Sequence, residues 1–581
     1  MHDLIQEMGL NIVKENQLNY PEKLDPEKHY PAKHSRFWEE KDVRSIWAMD
    51  ATKELDKIEA ISVKSYMYAS LPSQNHQVLA NMKNLRWIDW TGGHGGSLPR
   101  NFPPGELHCL ILRGGQQRQL WKGYKFLPSL KMIKLQAMDN LITTPNFRGL
   151  PNLERFMLFD TWNIKEIHSS IEGLERLGYL SVEYCNNFKM FPPTNVIKKL
   201  DSLIISNCRK LSNCWKKDNL FEQYSTNIFV TCMPCCCGKG HADKPSNDVE
   251  EPFLIHKGMD HVGLQFISRR LRKLILRQCN FRDEDIDYDV WDLPNLQELD
   301  LSLNLFSRLN FSILKVPRLK WLDVSECKSL VELSGFPSSI SSIRADWCDS
   351  LKTVGDTSNC RWLWNVSFYG RNIGVSARCG DMVLQSLLEG NAIEDHFISF
   401  THSAGHHIPN RFVDRLVIGK KCTLQLPPNW YNDYSGFLIC NANNYYALSF
   451  MISMKQDLDT DFRSEVCQES DEASNESYFN STYIGYVSFN SLIRHGARLN
   501  PAYNMISFSI DATYETSYEG ESRFVAELIP RKSKDHVAQT TKVTPDCSHF
   551  YDEEREFGKT FTIQRHSESS IKILWRPCYW Y

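Results

Sequence analysis

A solenoid of short parallel strands ending in an all-β sandwich is the architecture this sequence predicts, and three observations predict it. An apolar strip with the pattern L-x-x-L-x-L returns about every 23 residues from Leu107 onward. A Cys or Asn stands eight residues after the start of most strips. Past Trp364 this period stops, and short apolar runs separated by turn residues replace it.

The strips come first. Leu107, Leu110 and Leu112 are followed by Leu130, Ile133, Leu135, by Leu153, Phe156, Leu158, by Leu177, Leu180, Val182 and by Leu200, Leu203, Ile205, with starts 23, 23, 24 and 23 residues apart. A second run holds Leu271, Leu274, Leu276, then Leu296, Leu299, Leu301, then Leu319, Leu322, Val324 and, more weakly, Ile340, Ile343, Ala345. Self-similarity at this period is the signature of a leucine-rich repeat. Alternation within a strip is strand-like, so its apolar residues face a shared core and the residues between them face out. A single strip cannot bury its own apolar face, so the copies must stack. The eighth position, where a side chain bonds the backbone as the strand turns away, holds Cys185, Cys208, Cys279, Asn304, Cys327 and Cys348. Gly115, Met138 and Thr161 break that pattern in the first three copies. The predicted class is an α/β leucine-rich-repeat solenoid, a horseshoe, with a short N-terminal helical remnant and a C-terminal all-β sandwich.

Composition narrows the function. The chain of 581 residues is long enough for several domains, and its net charge of −3 supplies no global basic field for nucleic acid or an anionic membrane. No apolar run approaches the ~20 residues that span a bilayer, and Met1 to Lys14 lack the order of a signal peptide. An intracellular chain is expected. Five of the 18 cysteines sit at the eighth position, where a reduced thiol fits. Asn365 and Asn480 head glycosylation-type triplets expected to stay unmodified.

In chain order, Leu4, Ile5, Met8 and Ile12 have helical spacing, and Ile58 to Val63 reads as a strand. Leu79 to Arg86 is a helical approach to Leu85, Ile88 and Trp90, a weak copy expected to cap the array. An insertion at about 213–266 carries Cys232, Cys235 and His241; it is expected to be a polar loop with a Cys-rich patch, the alternative being a zinc site built on those three residues. Asp381 to Leu388 is helical. Eight β-like runs follow, from Cys422–Leu426 to Ile571–Trp575, as expected for a sandwich. The acidic, Ser- and Asn-rich stretch Gln456 to Ser481 reads as a solvated loop, or as a partner-binding one. His402, His406 and His407 cluster without a nucleophile or metal-spaced carboxylate, and no catalytic set is found.

Met1-His2-Asp3-Leu4-Ile5-Gln6-Glu7-Met8-Gly9, Ser35-Arg36-Phe37-Trp38 with Asp42-Val43, and Ile58-Glu59-Ala60-Ile61 resemble the segment that joins the nucleotide-binding switch to the repeats in plant TIR-type nucleotide-binding leucine-rich-repeat disease resistance proteins. Leu426-Pro427-Pro428-Asn429-Trp430-Tyr431 and Gly436-Phe437-Leu438-Ile439-Cys440 resemble that family's post-repeat jelly-roll or immunoglobulin-like domain. The resemblance implies that His2 and Asp3 match the Met-His-Asp motif, whose His senses the β-phosphate of bound ADP. No G-x-x-x-x-G-K-[ST] cradle occurs, so ADP or ATP would need a P-loop domain from elsewhere, and no cofactor is expected. The expected domains are 1–57, the winged-helix end of the switch; 58–375, the repeats; 376–405, a bridge; and 406–581, the sandwich.

These features point to a non-catalytic recognition module of an intracellular immune receptor, truncated and not expected to signal alone, in cytoplasm or nucleus. Its expected partners are a pathogen effector or a monitored host protein, and a nucleotide-binding domain in cis or trans; neither nucleic acid nor membrane is expected. A general repeat scaffold, adaptor or decoy regulator is the alternative. Outward strand positions pave the concave face of such an array. The contact residues expected there are Arg113, Lys134, Arg155, Phe159, Tyr179, Glu183, Lys273, Arg277, Asp300, Trp321, Asp323 and Arg344, accompanied by Gln136, Met157, Glu298 and Asp346.

Overall fold

Each apolar strip builds one rung of a parallel ladder. The structure, a computed structural model, describes residues 36–37, 58–63, 79–93, 105–189, 197–211, 268–285, 292–368, 398–404, 411–443, 448–455, 481–494, 500–511, 523–531, 561–565 and 570–575, with a few single positions in or between these ranges excepted or added. The chain divides into two compact units, Pro31–Leu319 and Lys320–Tyr581 together with Met1–Tyr30.

In the unit Pro31–Leu319 the strands are β1 (Arg36–Phe37), β2 (Ala60–Val63), β3 (Trp87–Gly93), β4 (Cys109–Gly115), β5 (Met132–Gln136), β6 (Arg155–Phe159), β7 (Tyr179–Glu183), β8 (Ser202–Ser206), β9 (Lys273–Arg277), β10 (Glu298–Asp300) and β11 (Arg308–Asn310). From β1 to β10 each pairs in parallel with the next, and no rung is skipped across the 213–266 insertion, because β8 pairs directly with β9. Every strip residue from Leu130 to Leu301 is buried. Leu112 of the first strip is only half-buried, the partial burial expected near the end of a stack. Fully burying one such side chain is worth roughly 1.5–3 kcal/mol.

The eighth position does what the spacing predicts. Cys208 Sγ reaches the carbonyls of Val182 and Ser206, each at 3.5 Å, and Cys279 Sγ those of Ile205 at 3.5 Å and Arg277 at 3.3 Å. Asn304 does more: its Nδ2 donates to Leu276 O at 2.7 Å and Leu301 O at 2.8 Å, while its Oδ1 accepts from the N–H groups of Cys279 and Phe281, both at 3.1 Å. Thr161, counted above among the breaks, is a correction: it is fully buried and its hydroxyl donates to Phe159 O at 3.2 Å. Met138 instead takes the N–H of Gly115 on its sulfur at 3.2 Å.

One regularity was not foreseen. The residue just before the eighth position has positive φ in every copy: Gly114, Ala137, Asp160, Tyr184, Asn207, Gln278 and Leu303 here, and Glu326 and Trp347 in the other unit. For non-glycine residues this conformation costs about 1–2 kcal/mol. It aims the N–H at the next rung, as in Ala137 to Phe159 O, Asp160 to Glu183 O and Tyr184 to Ser206 O, each at 2.8–2.9 Å.

Between residues 58 and 368 no α-helix occurs among the described residues. The connections use 3-10 turns such as Phe147–Gly149 and Ser169–Gly173, and the approach expected to be helical holds a 3-10 turn at Leu79 and Asn81. The tightness shows at Gly149, where a Cβ would lie 1.9 Å from Lys125 O.

The second unit starts with β12 (Trp321–Asp323), β13 (Glu332–Ser334), β14 (Ser342–Arg344), β15 (Thr353–Val354) and β16 (Asn365–Phe368), in which β12, β14 and β16 pair in parallel and β13 pairs with β15. Then β17 (Ile398–Ala404), in the segment expected to bridge, pairs in parallel with β16 on one side and antiparallel with β22 (Ser481–Ser488) on the other. The remaining strands are β18 (Val417–Ile418), β19 (Lys421–Gln425), β20 (Tyr434–Asn443), β21 (Leu448–Lys455), β23 (Met505–Asp511), β24 (Arg523–Pro530), β25 (Phe561–Arg565) and β26 (Ser570–Trp575). All eight runs foreseen as strands are strands.

They form two antiparallel sheets, β17-β22-β20-β24-β18 and β19-β23-β21-β26-β25. Strand β20 is buried on both faces: Phe437 and Ile439 join a core with Trp430, Phe489, Phe508 and Phe524, and Leu438 and Cys440 join another with Phe412, Ile484 and Tyr486. A strand so placed must be apolar at successive positions, as Phe437-Leu438-Ile439-Cys440 is. Short helices α1 (Trp430–Asp433) and α2 (Phe489–Arg494) supply Trp430 and Phe489, whose rings meet at 4.6 Å.

Candidate functional site

Parallel register turns the outward strand positions into three rows. The first holds Trp87, Cys109, Met132, Arg155, Tyr179, Ser202, Lys273 and Glu298; the second Asp89, Ile111, Lys134, Met157, Ser181, Ile204, Ile275 and Asp300; the third Thr91, Arg113, Gln136, Phe159, Glu183, Ser206 and Arg277. Neighbours in a row lie about 4.8 Å apart. Register therefore brings Arg113, Lys134, Arg155, Phe159, Tyr179, Glu183, Lys273, Arg277 and Asp300 onto one face. Trp321, Asp323 and Arg344 belong to β12 and β14 of the other unit, which carry the same kind of face.

Several of these residues are committed to one another. Arg113 is ion-paired with Asp89, whose side chain is fully buried. Lys273 meets Glu298 at 3.1 Å, and Arg344 lies between Asp323 at 3.3 Å and Asp346 at 3.4 Å. Asp300 and Asp323 accept the N–H groups of Ser302 and Ser325 at 2.8 and 2.9 Å, so these carboxylates hold the end of their own strands. The Arg155 guanidinium lies over the Tyr179 ring at 5.4 Å, and the Phe159 ring packs on Tyr184 at 5.1 Å. Glu183 accepts from Ser181 Oγ at 2.5 Å. Among the described residues no carboxylate pairs with Lys134, Arg155 or Arg277; Arg155 is exposed and the other two are half-buried.

Among the residues of this face that sequence reasoning missed are Asp89, Ile111, Ile204 and Ile275. Ile204 and Ile275 are half-buried in the second row with Met157, and the signal was present as apolar residues at outward positions. Ile111 packs with Cys109 and Met132 into a separate apolar cluster, against which Trp87 and Met157 lie. Burial pushes the Cys109 thiol far above its ordinary range, and the Asp89 charge pushes the same way, so it is no nucleophile. Burial likewise pushes Cys185, Cys279 and Cys348 up to about 12.

Among the described residues no group of three or more His, Cys, Asp or Glu side chains is placed to hold a metal ion. Cys232, Cys235 and His241, and the motif positions His2 and Asp3, lie outside the described residues. No helix among the described residues is long and apolar enough to cross a membrane. The face offers cations, aromatic rings and an apolar row, groups suited to binding.

No family profile matches the chain. It is similar to plant disease resistance proteins of the TIR-type nucleotide-binding leucine-rich-repeat kind, as the resemblance of its two ends implied. TMV resistance protein N of Nicotiana glutinosa is 24% identical over 561 residues, covering 76% of this chain and 46% of that protein. Disease resistance-like protein CSA1 of Arabidopsis thaliana is 24% identical over 535 residues, covering 81% and 44%, and Disease resistance protein RPS4 of the same plant is 28% identical over 394 residues, covering 62% and 32%. The chain thus spans less than half the length of these relatives. Among solved structures, a leucine-rich-repeat protein of Leptospira interrogans matches with a TM-score of 0.34 at 15% identity, covering 62% of this chain and 90% of that one.

Proposed function

We propose that this chain is the protein-recognition part of a plant intracellular immune receptor. Its repeats bind a pathogen protein, or a host protein that a pathogen alters, and in a full receptor they restrain a nucleotide-binding switch domain. It acts in cytoplasm or nucleus without catalysis and without a cofactor of its own. The observation that carries this reading is the unbroken parallel register from β2 to β10, which lines up Arg155, Tyr179, Phe159 and Arg277 on one face beside an apolar row. Arginine and aromatic residues around an apolar centre are the usual make-up of a protein interface. The similarity to disease resistance proteins supplies the immune context.

In differential terms, a partner that binds this face better in one receptor state shifts the receptor toward that state, so no bond need be made or broken. The test is co-precipitation from plant cells, with the intact chain as bait and a library of pathogen-secreted proteins as prey, in parallel with Tyr179→Ala and Trp321→Ala. A recovered partner that at least one substitution depletes about tenfold, as for a residue at an interface centre, is the expected result. Equal recovery with both variants would remove these faces from the contact.

A further inference from the structure

The face of β5 to β9 is chemically uneven, and the unevenness points to one kind of partner. Its middle row carries Met157, Ile204 and Ile275, all half-buried, with the small Ser181 between the first two. Lys134 continues this row on β5, and Arg155, Lys273 and Arg277 stand beside it, against the single carboxylate Glu183 within those five strands. Glu183 is engaged by Ser181, and Lys273 by Glu298 on β10. The Tyr179 ring under Arg155 orients that guanidinium without neutralising it. Within β5 to β9 cations therefore outnumber carboxylates along an apolar strip, in a chain whose net charge is −3; on β10 Glu298 is held by Lys273, and Asp300, beside Ile275, accepts the N–H of Ser302.

We propose that this face binds an extended acidic segment of a partner protein, apolar side chains seated on Met157, Ile204 and Ile275, and carboxylates at Arg155 and Arg277. The proposal rests on the recognition reading above and names the chemistry of the partner. From β6 to β9 the rows span three strand spacings, about 14 Å, the length of four or five extended residues. Bidentate guanidinium–carboxylate pairing gives the flanks direction, and the apolar row gives the centre something to desolvate. A nucleic-acid backbone would satisfy the arginines and leave Ile204 and Ile275 uncovered, so a polypeptide is the better fit.

The test is selection of displayed random decapeptides on the intact chain, followed by measurement of the selected peptides by fluorescence anisotropy. The expected result is enrichment of peptides that combine Asp or Glu with Leu, Ile or Phe. Their binding falls about tenfold or more in the double variant Arg155→Glu, Arg277→Glu, and weakens with added salt. The gentler pair Arg155→Gln, Arg277→Gln loses less, and Ile204→Asp loses binding at unchanged melting temperature. No enrichment, enrichment without acidic bias, or binding indifferent to the arginine variants would overturn the proposal. The same variants separate it from the broader reading: a co-precipitated partner lost with Tyr179→Ala but kept with Arg155→Glu, Arg277→Glu overturns the acidic segment and leaves recognition standing.

Discussion

Replacing Asn304 by Ala removes one side chain and unties two repeats. In the native chain its amide donates to Leu276 O on the preceding rung and accepts from the N–H groups of Cys279 and Phe281. Asn304 is 1% exposed, so water cannot take over these bonds without entering the core. Each buried backbone group left unsatisfied costs roughly 1–3 kcal/mol, and four lose this partner, the carbonyls of Leu276 and Leu301 and the N–H groups of Cys279 and Phe281. Allowing for relaxation into the space left behind, the net loss should be about 3–4 kcal/mol. Asn304→Cys separates the two halves of the argument. The thiols of Cys208 and Cys279 show that cysteine at this position donates to carbonyls. A thiol offers the two N–H groups only a weak acceptor, so Asn304→Cys should lose about half as much as Asn304→Ala. At ~2–4 °C per kcal/mol for a unit of this size, the Ala variant melts about 6–16 °C lower. Hydrogen exchange resolved to single amides is the sharper assay: Cys279 and Phe281 should lose protection in both variants while distant rungs keep theirs. A cysteine variant no better than alanine, or retained protection at those two amides in Asn304→Ala, would refute the reasoning.

Acid should loosen the sandwich sheet through Glu527, which Arg415 meets at 2.8 Å while Arg411 also contacts it. Burial raises the Glu527 carboxyl, but the hydrogen bonds and charges of Arg411 and Arg415 outweigh it and leave it below its ordinary value. A depressed folded value means the contribution is present above the ordinary carboxylate range and fades as pH falls through the folded value. Glu527→Gln should therefore cost about 1 kcal/mol at neutral pH and flatten the acid limb of a urea-melt series between pH 5 and 3, a window set by ~4.3 for free Glu. Cys185, Cys279 and Cys348, buried and held near 12, should resist iodoacetamide at pH 8 in the native chain and react once it is unfolded; peptide mapping by mass spectrometry that finds native labelling there would contradict their burial. Gly149→Ala forces a Cβ to 1.9 Å from Lys125 O, and thermal melts should show a loss of about 2–3 kcal/mol. Gln278→Gly, at a φ of 52°, should relieve about 1–2 kcal/mol of left-handed strain against up to ~1 kcal/mol of added unfolded-state entropy, leaving the chain as stable as before or slightly more so by denaturant titration.

What the sequence revealed and what it hid divide along physical lines. The strips were legible because burial imposes a period, and β9 follows β8 in register although residues 207–272 lie between them in sequence. The eight sandwich strands were legible from alternation and turn residues. The left-handed positions were hidden, since Ala137, Tyr184 and Gln278 have no intrinsic liking for that conformation; hydrogen bonds to the neighbouring rung impose it. Thr161 departs from the Asn and Cys series by residue name, yet its hydroxyl donates to a backbone carbonyl as the thiols at this position do. On the face, Arg113, Lys273 and Arg344 were foreseen as outward cations, but their pairing with Asp89, Glu298 and Asp323 depends on which rungs become neighbours. Ile204 and Ile275 were hidden because outward positions follow no apolar period, so nothing in the spacing distinguishes them from scattered surface residues.

The two-sided pairing of β17 sets a rule for how this chain can change length. A strand that is parallel to β16 and antiparallel to β22 closes the downstream end of its ladder, leaving no open edge onto which another rung could be added. Duplication or loss of coils must then happen upstream of Asn365, where each new strand finds like neighbours on both sides. Tandem copying can lengthen the array between its rungs but not past β17.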